Sequence, residues 1–254
     1  MLRSLKDLIG YEVVCPEGLI GRVEDFYFDN REWFIRYLVV NINNLAPGKK
    51  VLITPDMFVD RPDWDSRSFG VSISKEAAMK SPDIGSAKPI TRSMEKQVHD
   101  YFSQPYYWTA AAYTSPPMPG IIGSEETPLE PEQSPDVLEN ETHLHSFNDL
   151  LHYAVFARDS SAGSLEDLIT DDERWFVEDI VATGNGYYRG KKYLAKPEKV
   201  ERVDHSGKII LLAMTGAQVK ESPEYDPDDP VNINMEERRY DYRGKPRDWK
   251  EDNL

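Results

Sequence analysis

This chain writes one phrase twice. "EDFYFDNREWFIRYLVV" occupies Glu24 to Val40, and "EDLITDDERWFVEDIVA" occupies Glu166 to Ala182, 142 positions later. At that offset Ser4 to Asp60 slides without a gap onto Ser146 to Arg202, with 18 of 57 positions identical. One residue then drops out, and Ser74 to Trp108 matches Thr215 to Trp249 at an offset of 141. Such a period is too long for a solenoid unit and suits a whole small domain. The chain therefore reads as a tandem duplication, with units at 1–108 and 146–254 joined by 109–145.

Each unit is predicted to be mainly β. Ser4-Leu-Lys-Asp7 and Ser146-Phe-Asn-Asp149 resemble capping boxes and predict a short opening helix. Gly10 can end the first of these; His152 stands in its place in the second. Short apolar runs follow at Tyr11–Val14, Arg22–Phe28, Trp33–Asn41, Lys50–Ile53 and Phe69–Ser74, separated by turn residues, the pattern of a small sandwich or barrel. Alternation along the third run puts Trp33, Ile35, Tyr37 and Val39 on one face and Phe34, Leu38 and Val40 on the other. A strand apolar on both faces needs two covers. The second cover would be a terminal helix or the other unit. That helix is legible in Thr91 to Phe102, where Met94, Val98, Tyr101 and Phe102 form a stripe, with a counterpart at Asn232 to Tyr242. Both run through a Pro to a Trp, as "SQPYYW" and "GKPRDW". The segment 109–145 holds six prolines, and Ile121 to Thr142 carries seven acids and no base. It reads as an extended linker that protease should cut first.

A net charge of −15 argues against nucleic acid as a partner, since phosphate affinity comes from Lys and Arg. The single Cys15 excludes an internal disulfide and reads as a small buried thiol. No run approaches the ~18 apolar residues of a transmembrane span, and no signal peptide opens the chain, which points to a cytoplasmic protein. No catalytic set is legible. Glu24-Asp25 and Glu166-Asp167 are adjacent on strands and point to opposite faces, which suits a buried carboxylate fixing a turn, or solvated edge charges, better than an acid–base pair. His143 and His145 make too small a set for a metal, and Asp226 to Pro230 lacks the Gly and Glu of a calcium loop. Lys49-Lys50 and Lys191-Lys192 read as protection for a sheet edge. No metal or cofactor is expected.

Gly21-Arg-Val-Glu-Asp25, Asp29, Trp33, Leu38-Val39-Val40 and Gly48-Lys-Lys-Val-Leu-Ile-Thr-Pro55 together resemble the PRC-barrel family, named for the cytoplasmic part of the photosynthetic reaction-centre H subunit. The tail "SMEKQVHDYFSQPYYW" is similar to that of small free-standing bacterial members. The second unit keeps Gly163, Asp167, Asp171, Trp175, Gly190-Lys-Lys and Leu194, and departs at Thr183-Gly-Asn-Gly-Tyr-Tyr188. The resemblance implies two small, partly open antiparallel barrels, each with short helices and a helix-Pro-aromatic tail. It also implies an assembly or docking role, though fold alone does not license function.

Three function classes follow. The first is a non-enzymatic binding or scaffold protein with an unidentified protein partner. The second is a peripheral assembly subunit at a membrane electron-transfer complex, and the third an enzyme with a site between the units. The docking candidates are Tyr106, Tyr107, Trp108 and Trp249, because exposed aromatics anchor partners. Docking of the tails on their own chain is the competing reading, and the favoured one because both copies keep the Trp. On that reading each indole fills a slot while its neighbours, Tyr107 among them, stay exposed. The two units are expected to pair about a pseudo-twofold axis within one chain.

Overall fold

A computed structural model describes residues 2–84, 90–108, 144–186 and 190–226. The helix expected at 232–242, Trp249, His143 and nearly all of the linker lie outside these residues. In the first half the elements are β1 (Leu2–Ser4), α1 (Leu5–Leu8), β2 (Glu12–Cys15), β3 (Gly18–Asp29), β4 (Ile35–Asn41), β5 (Lys50–Ile53), β6 (Ser68–Gly70), α2 (Lys75–Lys80) and α3 (Arg92–Phe102). In the second they are β7 (Leu144–Ser146), α4 (Phe147–Leu150), β8 (Ala154–Phe156), β9 (Ser161–Asp171), β10 (Val177–Thr183), β11 (Lys192–Ala195), β12 (Val200–Asp204), β13 (Ile209–Leu212) and α5 (Gly216–Glu221). The chain is mainly β, as its alternation predicts. Leu144 and His145, assigned to the linker from sequence, belong to β7, because a three-residue strand leaves no periodic trace.

Two open, mixed sheets form, in the orders β5-β4-β3-β2-β6 and β11-β10-β9-β8-β13-β12. The expected purely antiparallel barrel needs correcting. β2 and β6 run parallel, as do β8 and β13, and among the described residues neither sheet closes into a hydrogen-bonded ring. The reason is the odd strand count from β2 to β6. Four reversals bring the chain back beside β2 pointing the same way. In the second half the chain leaves one sheet edge at β11, turns through a 3-10 turn at Pro197–Lys199, and resumes as β12 at the other edge. The sheet is thereby curled around its contents.

Each half also lends a strand to the other. β1 adds to β9, with Leu2 opposite Asp171 and Ser4 opposite Ile169. β7 adds to β3, with Leu144 opposite Asp29 and Ser146 opposite Tyr27. Between them Phe34 and Phe176 form an antiparallel bridge, their rings 5.2 Å apart edge to face. The main core accordingly draws on both halves, Leu5, Phe28 and Leu38 joining Phe147, Leu168 and Trp175.

β4 is buried on both faces. Leu38 and Val40 face the main core, whereas Tyr37 and Val39 face a second cluster with Tyr27, Leu52, Ile90, Val98 and Leu144. Trp33 and Ile35 also belong to the main core, against the alternation predicted for them; a register shift between the pairs Tyr27–Tyr37 and Phe28–Ile35 breaks the parity. The second cover is α3, capped by the Thr91 hydroxyl and closed by Ser103 in the left-handed conformation. Its buried face is rotated from the expected stripe. Glu95, Val98 and His99 point inward, and Tyr101 is 40% exposed.

Candidate functional site

The paired carboxylates do two separate jobs. Asp25 accepts hydrogen bonds from the Ser146 hydroxyl and, at 3.0 Å, from the Asn148 N–H of the other half. Asp167 accepts the mirror set, the Ser4 hydroxyl and the Lys6 N–H at 3.2 Å. Each Asp also accepts the N–H of its own successor, Phe26 or Leu168, at 2.8 Å. Burial pushes the Asp167 carboxyl up to about 6, against the pull of those three donors. The same Ser4 and Ser146 hydroxyls accept from Asp7 and Asp149 N–H, capping α1 and α4. One serine thus caps a helix and ties it to the opposite sheet.

The neighbouring glutamates face outward. Glu24 pairs with Lys50 and takes a bond from Asn41 at 3.0 Å. Glu166 pairs with Lys6 at 2.7 Å and Lys192 at 3.4 Å, and the Lys6 bond leads in holding its carboxyl below the usual range. The two lysines of each Gly-Lys-Lys triplet therefore divide. The second meets a Glu, while Lys49 donates to the Met79 and Ser81 carbonyls and Lys191 to those of Lys220 and Ser222. Those carbonyls lie at the C-termini of α2 and α5, where a cation is favoured. β5 and β11 do end their sheet paths, but each Lys has this more specific task.

The repeated tryptophans close the seam. Trp33 and Trp175 hold positive φ of 61° and 57°. The Trp33 carbonyl accepts the Val177 N–H, and the Trp175 carbonyl accepts the Ile35 N–H, both at 2.7 Å. The Trp175 indole packs beside Phe58 and Phe69, at 5.3 and 5.9 Å.

At the outer corners of the seam the halves differ. Arg3 lies 3.9 Å over the Trp64 ring and 3.6 Å from the buried Asp172. The corresponding positions hold His145 and His205, whose rings stack at 3.6 Å and 14°. Burial lowers the pKa of His205 below its ordinary value. The cross-seam ion pairs Arg3–Asp172, Lys6–Glu166 and Arg61–Glu173 all set a base of the first half against an acid of the second.

Of the docking candidates, three are described, and they lie together beyond α3. Tyr107 is partly buried rather than exposed. Its hydroxyl donates to Glu95 at 2.6 Å, and Arg36 lies 4.1 Å over its ring. Trp108 is half-buried, stacked on Tyr106 at 4.9 Å, with Arg92 at 4.3 Å over its ring. Beneath them Glu95 is 0% and His99 3% exposed. Sequence reasoning missed both. Their i, i+4 spacing was the available signal, hidden because a charged pair reads as a solvated face.

A cleft of about 560 Å³ opens beside Gly21, between Ile9, Leu19, Val23 and Asn43. In the second half the Asn185 amide bonds the Ser161 hydroxyl across the matching position. Cys15 is buried, its thiol donating to the Gly18 carbonyl at 3.3 Å. Among the described residues no group of three or more His, Cys, Asp and Glu side chains could hold a metal ion, and no helix is long and apolar enough to cross a membrane. Compared with models of known protein families the sequence matches none, and it matches none of the curated proteins either.

Proposed function

We propose that this chain is a non-catalytic scaffold, two PRC-barrel-type repeats paired about a pseudo-twofold axis, that assembles with a protein partner. The carrying observation is the use made of the repeated carboxylates. Asp25 and Asp167 are spent on serine and backbone donors of the opposite half, and Glu24 and Glu166 on lysines. Neither pair has a free acid and a free base facing one space, which acid–base chemistry requires. Half-buried Trp108 and Tyr106, stacked beyond the end of α3, are the aromatic type that anchors a partner.

The test is affinity capture with tagged full-length protein, from soluble and membrane fractions of the source cell assayed separately. A discrete protein that is retained by the parent and lost from a Tyr106→Ala/Trp108→Ala double variant supports the proposal. Capture of the same proteins by both chains would refute docking at the tail. Recovery from the membrane fraction alone would favour the peripheral-subunit reading.

A further inference from the structure

We infer that Tyr37, Glu95 and His99 form a buried proton-binding site whose proton holds α3 and the aromatic tail against the sheet. This rests on the reading of the tail as a docking element and adds its regulation. His99 Nδ1 lies 2.8 Å from the Pro105 carbonyl, which can only accept, so Nδ1 carries a hydrogen. The Tyr37 hydroxyl lies 2.8 Å from His99 Nε2 and 3.0 Å from Glu95 Oε2. It owns one hydrogen and cannot donate along both lines. The Tyr107 hydroxyl uses its hydrogen on the same Oε2, at 2.6 Å. Two bonds at Tyr37 thus need one hydrogen more than a neutral imidazole and a carboxylate supply.

That hydrogen sits either on His99 Nε2, donating to the Tyr37 oxygen, or on Glu95 Oε2, donating to the same oxygen. Both forms keep every contact, and they belong to one coupled site. Loss of the proton leaves one of the two short contacts without a hydrogen, between buried lone pairs, which is costly.

The surroundings explain why the site can hold a proton. Burial leads in raising the Glu95 pKa and in lowering that of His99, which favours the carboxyl as the carrier. Arg92 of the same helix opposes this with a nitrogen 2.9 Å from Glu95 Oε1. Asp29 acts in the raising direction on Glu95 and Asp56 on His99. Arg36 from β4 faces the Tyr107 ring, and its own charge meets Glu32 and Asp29. Burial also leads in raising the pKa values of Tyr37 and Tyr107, so neither phenol releases the proton first. Tyr37 is on the sheet, Glu95 and His99 are on the helix, and Pro105 and Tyr107 are on the tail. The proton therefore joins sheet to helix, and the tail is tied to the same two helical side chains by hydrogens of its own.

The test uses the full chain from about pH 5 to about pH 10, a span that covers ordinary imidazole titration and lies above the ordinary carboxyl range, where a raised Glu95 would titrate. Imidazole nitrogen NMR follows His99, and amide exchange corrected for its intrinsic pH dependence follows α3. Deprotonation is expected to speed exchange in α3 by about tenfold, as loss of one buried hydrogen bond would. Glu95→Gln puts two permanent N–H hydrogens where Oε2 stands, one toward the Tyr37 oxygen and one toward the Tyr107 oxygen, which then accepts instead of donating; the helix should stay docked with no transition. Should that variant fail to fold, Tyr37→Phe decides, because it keeps the ring and removes the bridge; its transition should be absent. A parent without a transition, or a folded variant of either kind that keeps the parent's midpoint, overturns the inference. None of these readouts involves a partner, so they fail independently of the capture experiment.

Discussion

The carbonyl of Trp33 accepts the N–H of Val177 at 2.7 Å, and it is aimed there by a left-handed backbone that a bulky residue seldom adopts. The turn before it explains the aim. The Asp29 carboxylate accepts the Arg31 and Glu32 N–H groups, and the Asp29 carbonyl accepts the Trp33 N–H. Asp171 repeats both arrangements up to Trp175. Strain at each Trp is thus tied to pairing with the other half. Replacing Trp33 by Gly relieves the left-handed backbone but loses the indole; Ala loses the indole and keeps the strain. Both variants should be less stable than the parent, with Gly above Ala by about 1 kcal/mol. Urea unfolding of the pair checks the order, and an Ala variant equal to or above Gly would show that the backbone is not strained.

The repeated glycines make a second prediction. A Cβ on Gly21 would lie 2.1 Å from the Asn41 carbonyl oxygen, and one on Gly163 would lie 2.0 Å from that of Thr183. Neither oxygen is the end of a flexible side chain, so the strands β3–β4 and β9–β10 must part. Gly163 also has a φ of 130°, which a side chain resists. Gly163→Ala should therefore lower the thermal midpoint more than Gly21→Ala, and both should exceed the surface-substitution range of about 0.5 kcal/mol. A Gly163→Ala protein that melts with the parent would mean that this close approach is not maintained in solution.

Buried Asp167 and half-buried His205 give the chain opposing responses to acid. Asp167 has its carboxyl pushed up to about 6, above the ~3.9 of an unfolded chain. The folded state therefore binds its proton more tightly. The stabilisation is complete below about pH 3.9 and is lost as pH rises through about 6. His205 is lowered from its ordinary ~6.5, so its contribution is complete above that value and is lost as pH falls through the folded pKa. Asp167→Asn should remove the first dependence. His205→Trp should remove the second while installing the residue that Trp64 supplies at the other corner. Denaturant midpoints from about pH 4 to about pH 8 measure both, and a parent-minus-variant difference that stays flat across this range would exclude the assigned cause.

Much of this arrangement was legible in the residues. The Ser-x-x-Asp openings predict α1 and α4, and the Gly-Lys-Lys triplets and Trp turns recur as equivalent geometry. Even the substitution of His152 for Gly10 keeps its meaning, since both hold a left-handed φ, 70° and 84°. Strand exchange was not legible. Leu2–Ser4 and Leu144–Ser146 are three residues each, too short for alternation to register, and they pair with distant strands, Ser4 opposite Ile169 and Ser146 opposite Tyr27. Ile35 was misplaced because a bulge shifts parity without leaving a residue-type signature. Glu95 and His99 were hidden because burial of polar side chains depends on partners from β4 and the tail, which a helical wheel does not contain.

The tail makes the last prediction, and here the geometry reverses an expectation from sequence. Unlike neighbours around the shared Trp108 and Trp249 suggested an indole in a slot and an expendable Tyr107. Instead Tyr107 reaches furthest inward, its hydroxyl on the buried Glu95 and its ring between Arg36 and Arg92 at 4.1 and 5.7 Å. Tyr107→Phe leaves the ring and removes a donor from a buried carboxylate, which costs about 1–3 kcal/mol. Tyr107→Ala adds the loss of packing and should cost more. Trp108 is half-buried and stacks mainly on Tyr106, His99 and Arg92, so Trp108→Ala should fall below the ~3–5 kcal/mol of a fully buried Trp. Thermal unfolding of the three variants beside the parent sets the order. If Tyr107→Phe melts with the parent while Trp108→Ala drops sharply, the indole is the anchor and the Tyr107–Glu95 bond contributes little.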